Sequence, residues 1–241
     1  MTEDQAEKPM ATEKSAAETG PTRNRRKRVK TRVLLLKAAY EVMSARGVDE
    51  AAIKEITEKA DVGFGTFYNY FLSKDELAKC VLDCVINDLG RRNDLATAHL
   101  KSTDTARVMP VSIRLTLRDA IADPMWKWWV LRPDLLADRM REGFRAFGVR
   151  DIRNAIKAGV YLLNEQDVDT AWGISIWMMI GALRDIVIGH YPNNHEQKVV
   201  EMIMRVMGVS ASSALEVSTG PLPVYPAPSI DFTFQLTEPQ R

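Results

Sequence analysis

Apolar positions recur with helical spacing along most of this chain. Leu35, Ala38, Ala39, Val42 and Met43 follow the i, i+3, i+4, i+7, i+8 pattern of one helix face. Thr31 offers a cap before them and Gly47 a stop after them. Ile53, Ile56 and Ala60 share one side of a second, shorter helix, and Asp61-Val62-Gly63 then breaks the pattern. Helical spacing resumes over 64–71. Ser73 and Glu76 have the spacing of a capping box, opening a fourth helix whose inner face is Leu77, Cys80, Val81, Cys84 and Val85. Gly90-Arg91-Arg92 is expected to loosen that helix near its end. Further helices are expected at about 104–122, 124–131, 133–147, 150–165, 168–191 and 194–208, with breaks at Asp123-Pro124, Arg132-Pro133, Gly148, Gln166-Asp167 and Tyr191-Pro192. The pattern predicts an all-α fold.

From about Ser210 the sequence turns proline-rich and reads as a mobile tail over 210–241. Its IDFTFQL alternates like a strand, but one isolated strand is marginal. The 241 residues are enough for one large domain or two modest ones, and the net charge of +1 gives no global bias toward nucleic acid or membrane. The local balance differs. Residues 1–20 carry Glu3, Asp4, Glu7, Glu13 and Glu18 against two lysines, whereas PTRNRRKRVKTR, which follows, holds seven cations and no acid. Such a block is either a solvated disordered tail or a basic arm that folds onto phosphates or into a minor groove.

The first twenty residues lack the apolar core of a secretory signal, and a cytoplasmic location is expected. The longest apolar run, WGISIWMMIGAL at 172–183, is too short to span a bilayer, so no membrane partner is expected. Cys80 and Cys84 lack metal-ligand or redox spacing and fall among core positions. The histidines are His99, His190 and His195 alone, with no ligand spacing or nucleophile motif beside them. No catalytic residue, metal or cofactor is expected, and the chain does not read as an enzyme.

The densest signal is GFGTFYNYFLSKDE at 63–76. Phe67 and Phe71, one turn apart, fall on the side that would meet Leu35, Ile53 and Ile56. Phe64, Gly65, Tyr68 and Asn69 share the opposite face, which is costly to expose unless something covers it. Two short helices joined by a tight turn over 51–71 make a helix-turn-helix, with 64–71 as recognition helix. Duplex DNA suits its outer face. Gly65 permits close backbone approach, Thr66 and Tyr68 offer hydroxyls to phosphates, Phe64 could meet a thymine methyl and Asn69 a base edge. Lys74, in the first turn of the next helix, adds a charge for a phosphate. The basic arm, with Arg25, Arg26, Lys27 and Arg28, lies just ahead of this unit.

Residues 31–77 resemble the DNA-binding domain of the tetracycline-repressor (TetR) family. The resemblance rests on Leu35, Ala38-Ala39, Gly47, Ile53, Ile56, Ala60 and Val62, and above all on Gly65-Thr66-Phe67-Tyr68-Asn69-Tyr70-Phe71 with Ser73-Lys74-Asp75-Glu76-Leu77. It implies phosphate contacts from Thr66, Tyr68, Tyr70 and Lys74, and base-facing positions near Phe64, Gly65 and Asn69. It also implies a homodimer on a near-palindromic double-stranded DNA operator, acting as a transcriptional repressor released by a small-molecule effector. Three positions depart from the family. Ala51 stands for a capping Thr, which Asp49 is expected to replace in part; Asp61 stands for a turn glycine, and Gly63 for a capping Ser. Together they soften the domain by roughly 1 kcal/mol.

The resulting organisation is a tail over 1–30 with a basic arm at 23–32, a DNA-binding domain at 31–77, a helical effector and dimerisation domain at 78–209, and the 210–241 tail. For the dimer interface the candidates are Gly181 and Ala182 on one helix, and Val199, Val200, Ile203 and Met207 on the next. For an effector pocket taking an apolar or aromatic molecule they are Trp126, Trp129, Phe144, Trp177 and Met178, although such rings also simply fill cores. The competing reading is a DNA-binding architectural or interaction protein without effector control.

Overall fold

The computed structural model describes residues 23–234. The acidic segment 1–20 and the last residues of the chain lie outside them. Regular structure among the described residues is helical throughout: α1 (Arg23–Arg46), α2 (Ile53–Lys59), α3 (Phe64–Phe67), α4 (Lys74–Ala96), α5 (Leu100–Thr103), α6 (Val108–Ala122), α7 (Trp126–Val130), α8 (Pro133–Gly143), α9 (Arg145–Lys157), α10 (Val168–Val187), α11 (Glu196–Val206) and α12 (Ala211–Thr219).

The first three helices form a small head. Leu35, Ala39 and Met43 of α1 close over Ile56, Phe67 and Phe71, all of them buried. α4 then carries the apolar core out of the head and packs against α1, α6 and α8. Because Leu77, Val81, Val85 and Leu89 continue one stripe along α4, the head and the distal helices share one hydrophobic core. α10 lies at the middle of the distal half, against α6, α7, α8, α9 and α11. No helix among the described residues is long and apolar enough to cross a membrane.

Several boundaries differ from the sequence reading. α1 begins at Arg23, not beyond Thr31, so the basic arm is a helical extension of the head. Thr31 is no cap there: its hydroxyl donates to the Lys27 carbonyl at 3.1 Å, inside the helix. The expected loosening at Gly90 does not occur, and the expected break at Gly148 falls four residues earlier, at Phe144. Both glycines sit inside helices because rings need the space. A Cβ on Gly90 would stand 2.7 Å from the Phe147 ring, and one on Gly148 would stand 2.3 Å from Trp172.

The stretch from Ser210, read as a mobile tail, instead forms α12 and then an extended strap over 220–234. α12 buries Ala214 and Val217 against α11. The strap is gripped by arginines: Arg114 Nη1 donates to the Gly220 carbonyl at 2.6 Å, Arg107 to that of Pro221, Arg92 Nε to that of Pro226 at 2.8 Å, and Arg91 Nη2 to that of Ser229 at 2.8 Å. Arg92 also lies over the Tyr225 ring, 4.0 Å from its centroid, and Phe232 meets Tyr40 of α1 with ring centroids 5.8 Å apart. Proline content marked the absence of helix here, not an absence of packing.

Candidate nucleic-acid interface and effector cavity

The outer face of the head follows from how few residues its second motif helix contains. α3 is a single turn, Phe64–Phe67, and Asn69, Tyr70 and Phe71 continue it through backbone bonds to Thr66 and Phe67. Asp61 takes a left-handed conformation (φ 54°) at the turn between α2 and α3, the position where glycine would be least strained. Gly63 caps α3 without a side chain, and α2 likewise starts at Ala52 with no side-chain cap, Asp49 included.

Phe67 and Phe71 point inward, fully buried, with ring centroids 5.8 Å apart. Phe64 and Tyr68 point outward, 53% and 51% exposed, and meet edge to face at 5.9 Å. Gly65 and Asn69 are exposed between them, and no atom lies within 4 Å of where a Cβ on Gly65 would stand. Thr66 and Tyr70 are half-buried at the edge. Two rings, an amide and a bare backbone thus share one open surface, which is what a helix meeting base edges requires.

Four side chains fix this surface from behind. Ser73 caps α4 by accepting from Glu76 N–H at 3.1 Å, while the Glu76 carboxylate accepts from Leu72 N–H at 2.6 Å. Lys74 Nζ donates to the carbonyls of Asp49 (2.8 Å) and Ala51 (3.0 Å), tying α4 to the loop before α2. Arg32 is buried, although it belongs to the basic stretch 23–32: its guanidinium lies 4.5 Å from the Phe71 ring centroid and donates to the Tyr70 carbonyl and to Cys80 Sγ, each at 3.4 Å. It works inside the head rather than in the arm. Arg25, Arg26, Lys27 and Arg28 are all exposed, and the Arg28 guanidinium stands 5.9 Å from the Tyr70 ring centroid. Burial pushes the Cys84 thiol up to about 12 and also raises that of Cys80, so both stay protonated thiols in the core.

The distal half contains a partly open cavity of about 60 Å³. Gly90, Asn93 and Asp94 of α4 form one wall, Met109, Ser112, Ile113 and Thr116 of α6 another. Phe144 with Phe147, Gly148 and Asp151 of α9 forms the third, and Trp172 and Met179 of α10 close it. Of the expected pocket residues only Phe144 lies here. Trp126 and Trp129 are fully buried in α7, packed on each other edge to face at 5.1 Å, and they fill core instead. Trp177 is 46% exposed on α10, and Met178 is half-buried beside it. The neighbouring Phe147, Trp172 and Met179 occupy the place given to them.

The cavity's charges are mutually compensated. Burial raises the carboxyl of Asp151, with Arg150 as its counter-ion at 2.8 Å. Burial also acts on Asp94, but its bonds from Lys101 and from Arg150 (2.6 Å) together hold it below the ordinary range. No group of three or more potential metal-binding side chains occurs among the described residues.

The expected interface residues divide between two environments. Val199, Val200, Ile203 and Met207 are buried within the subunit, because α11 turns that face to α6, α10 and α12. Gly181 is exposed on α10 and Ala182 half-buried. With Ile174, Trp177 and Met178 they form an outward apolar stripe at spacings of three and four residues.

These features have counterparts in known proteins. A family described as "Bacterial regulatory proteins, tetR family" matches residues 35–81, and one described as "Tetracyclin repressor-like, C-terminal domain" matches residues 104–219. The chain is 45% identical over 49 residues to the "Uncharacterized HTH-type transcriptional regulator YvdT" of Bacillus subtilis (strain 168), a match covering 20% of this chain and 25% of that protein. Crystal structures of RolR superpose over most of the molecule. Without ligand, RolR is 27% identical with a TM-score of 0.71, covering 80% of this chain and 99% of that one. In complex with its ligand resorcinol the values are 28%, 0.72, 83% and 99%. The fatty acid degradation regulator FadR from Bacillus halodurans shares the fold alone, at 17% identity and a TM-score of 0.53 over 72% of this chain and 94% of that one.

Proposed function

The chain belongs to the tetracycline-repressor (TetR) family of DNA-binding transcriptional regulators, which are not enzymes, and from that premise we propose that it is a homodimeric repressor released by a small aromatic effector. The observation that carries the DNA half of this reading is the open face of Phe64, Gly65, Tyr68 and Asn69, held from behind by Lys74 and Arg32. Phe64, Gly65 and Asn69 face base edges in the major groove, while Thr66, Tyr68 and Tyr70 hold flanking phosphates. Arg25, Arg26, Lys27 and Arg28 extend the contact. As part of a helix roughly 10–12 Å across, they follow the phosphate backbone and do not enter a minor groove about 6 Å wide.

Two heads are needed to read a near-palindrome, with recognition helices about 34–36 Å apart. The α10 stripe of Ile174, Trp177, Met178, Gly181 and Ala182 supplies the surface for a second copy, since Gly181 lets a facing helix approach closely. Effector control follows from α4. One end of that helix carries Lys74 against the head, and the other carries Gly90, Asn93 and Asp94 into the cavity. A ligand that reshapes the cavity therefore acts on the helix that sets the head's position. Differential affinity of about 1–3 kcal/mol is enough to shift such an equilibrium. The likeness to RolR, whose ligand is resorcinol, and the Phe, Trp and Met walls support an effector with a single aromatic ring.

Recovering the genomic fragments that the purified protein retains at moderate salt tests this reading. A shared inverted repeat with half-sites 10–10.5 bp apart, or a multiple of that, is expected. Binding without sequence preference, or a stable monomer, would favour the architectural alternative.

A further inference from the structure

Asn93 is 8% exposed and lies on the cavity wall between α4 and α6. Its Nδ2 donates to Thr116 Oγ1 at 2.8 Å. The Thr116 hydroxyl gives its own hydrogen to the Ser112 carbonyl at 3.0 Å, so toward Asn93 it can only accept. That chain of donors fixes which way the amide faces: the NH₂ points to Thr116 and Oδ1 is left over. Oδ1 is buried and has no hydrogen-bond partner. Leaving a buried acceptor unpaired costs about 1–3 kcal/mol, which a donor entering the cavity recovers.

We infer that Asn93, oriented by Thr116, is the specificity-determining residue of this cavity and selects an uncharged arene bearing at least one hydroxyl donor. The inference rests on the effector reading above and refines it. Charge balance supports a neutral ligand, because Asp94 and Asp151 already face Arg150 and Lys101. Size supports one ring. A cavity of about 60 Å³ holds roughly two waters, whereas a benzene-binding cavity is about 150 Å³, so the ligand must displace side chains. Met109 of α6 and Met179 of α10 are the lining side chains best able to yield. Oδ1 is closed to water until those side chains move, and a ligand without a donor would then leave it unpaired.

Three arenes of nearly equal shape isolate the donor: resorcinol, m-cresol and m-xylene, in which hydroxyls are replaced one at a time by methyls. Calorimetric titration into the full-length protein is expected to give at least tenfold weaker binding for m-xylene than for m-cresol. In Asn93→Leu that ratio is expected to fall within about threefold, with m-xylene binding kept. Thr116→Val, which leaves the Asn93 side chain in place but frees the amide to turn over, is expected to give an intermediate ratio, and it carries the test if Asn93→Leu does not fold. Equal binding of m-cresol and m-xylene by the unaltered protein would overturn the inference while leaving the effector reading intact. So would a full tenfold preference surviving in folded Asn93→Leu or Thr116→Val. Failure of all three arenes to bind the unaltered protein would overturn both.

Discussion

The Lys74 ammonium donates to the Ala51 carbonyl at 3.0 Å, bridging the first turn of α4 to the loop that launches α2. With the Asp49 carbonyl at 2.8 Å, two of its three hydrogens are already engaged. One remains for the proposed phosphate contact, so the residue is a clamp before anything else. Lys74→Met, which keeps the length and removes the donors, is expected to lower the stability of the free protein by about 1–3 kcal/mol. It should weaken binding to operator and random DNA alike. Chemical denaturation without DNA separates the two roles: an unchanged midpoint would mean that the clamp contributes nothing.

Phe64 and the arm are expected to act in opposite ways on DNA. Phe64→Ala removes an exposed ring, so stability should hold within about 0.5 kcal/mol while preference among operator variants changes. Arg25→Gln with Arg26→Gln should weaken every sequence uniformly and reduce the salt slope by about 2. Binding isotherms across a salt series, on operator and scrambled duplexes, check both. Equal losses for Phe64→Ala on the two duplexes would remove its assigned role.

The α10 and α11 faces are also separable. Trp177→Glu places a charge on the outward stripe and is expected to yield folded monomers in analytical ultracentrifugation, with operator binding lost. Ile203→Ala, on a buried face, should instead destabilise the subunit by about 2–5 kcal/mol without preventing association. A fully dimeric Trp177→Glu would place the interface elsewhere.

Asp123 joins the distal half to α1 by accepting from the Ser44 hydroxyl at 3.0 Å and from Met125 N–H at 2.9 Å. Burial nevertheless raises its carboxyl above the ordinary range, with the two hydrogen bonds only partly opposing it. For an acid raised in the folded state, the contribution favours folding below the unfolded value, about 3.9, and is lost as pH climbs through the folded value. Asp123→Asn retains an acceptor for Met125 and cannot ionise. Its stability relative to the unaltered protein is expected to increase as pH rises from about 3 through the weakly acidic range. Denaturation midpoints over that range would show it; a constant or opposite difference would contradict the raised carboxyl.

The all-helical order and the head were legible because their signals are local. Periodicity gave the buried faces of α1, α2 and α4, and Ser73-x-x-Glu76 gave the start of α4. Gly90 and Gly148 misled because composition does not tell a helix-ending glycine from one that admits Phe147 or Trp172. The tryptophans misled for a related reason: Trp126 and Trp129 announce burial, and burial is not a void. Trp177 was outward because the stripe at 174, 177, 178 and 181 lies on the other side of α10 from Ile176, Met179 and Leu183. Asn93 carried a readable signal, being an amide at an inward position, as Thr116 is a hydroxyl on the inner face of α6. Their meeting was not readable, since it depends on how α4 and α6 cross.

The strap ends where a spectroscopist would want it to. Phe232 touches Tyr40, while Arg92, one residue before the amide that faces the cavity, holds Tyr225 and Pro226. A dye on the exposed Thr233 would therefore ride beside α1, and the strap's grip on Arg92 would link it to the helix that lines the cavity.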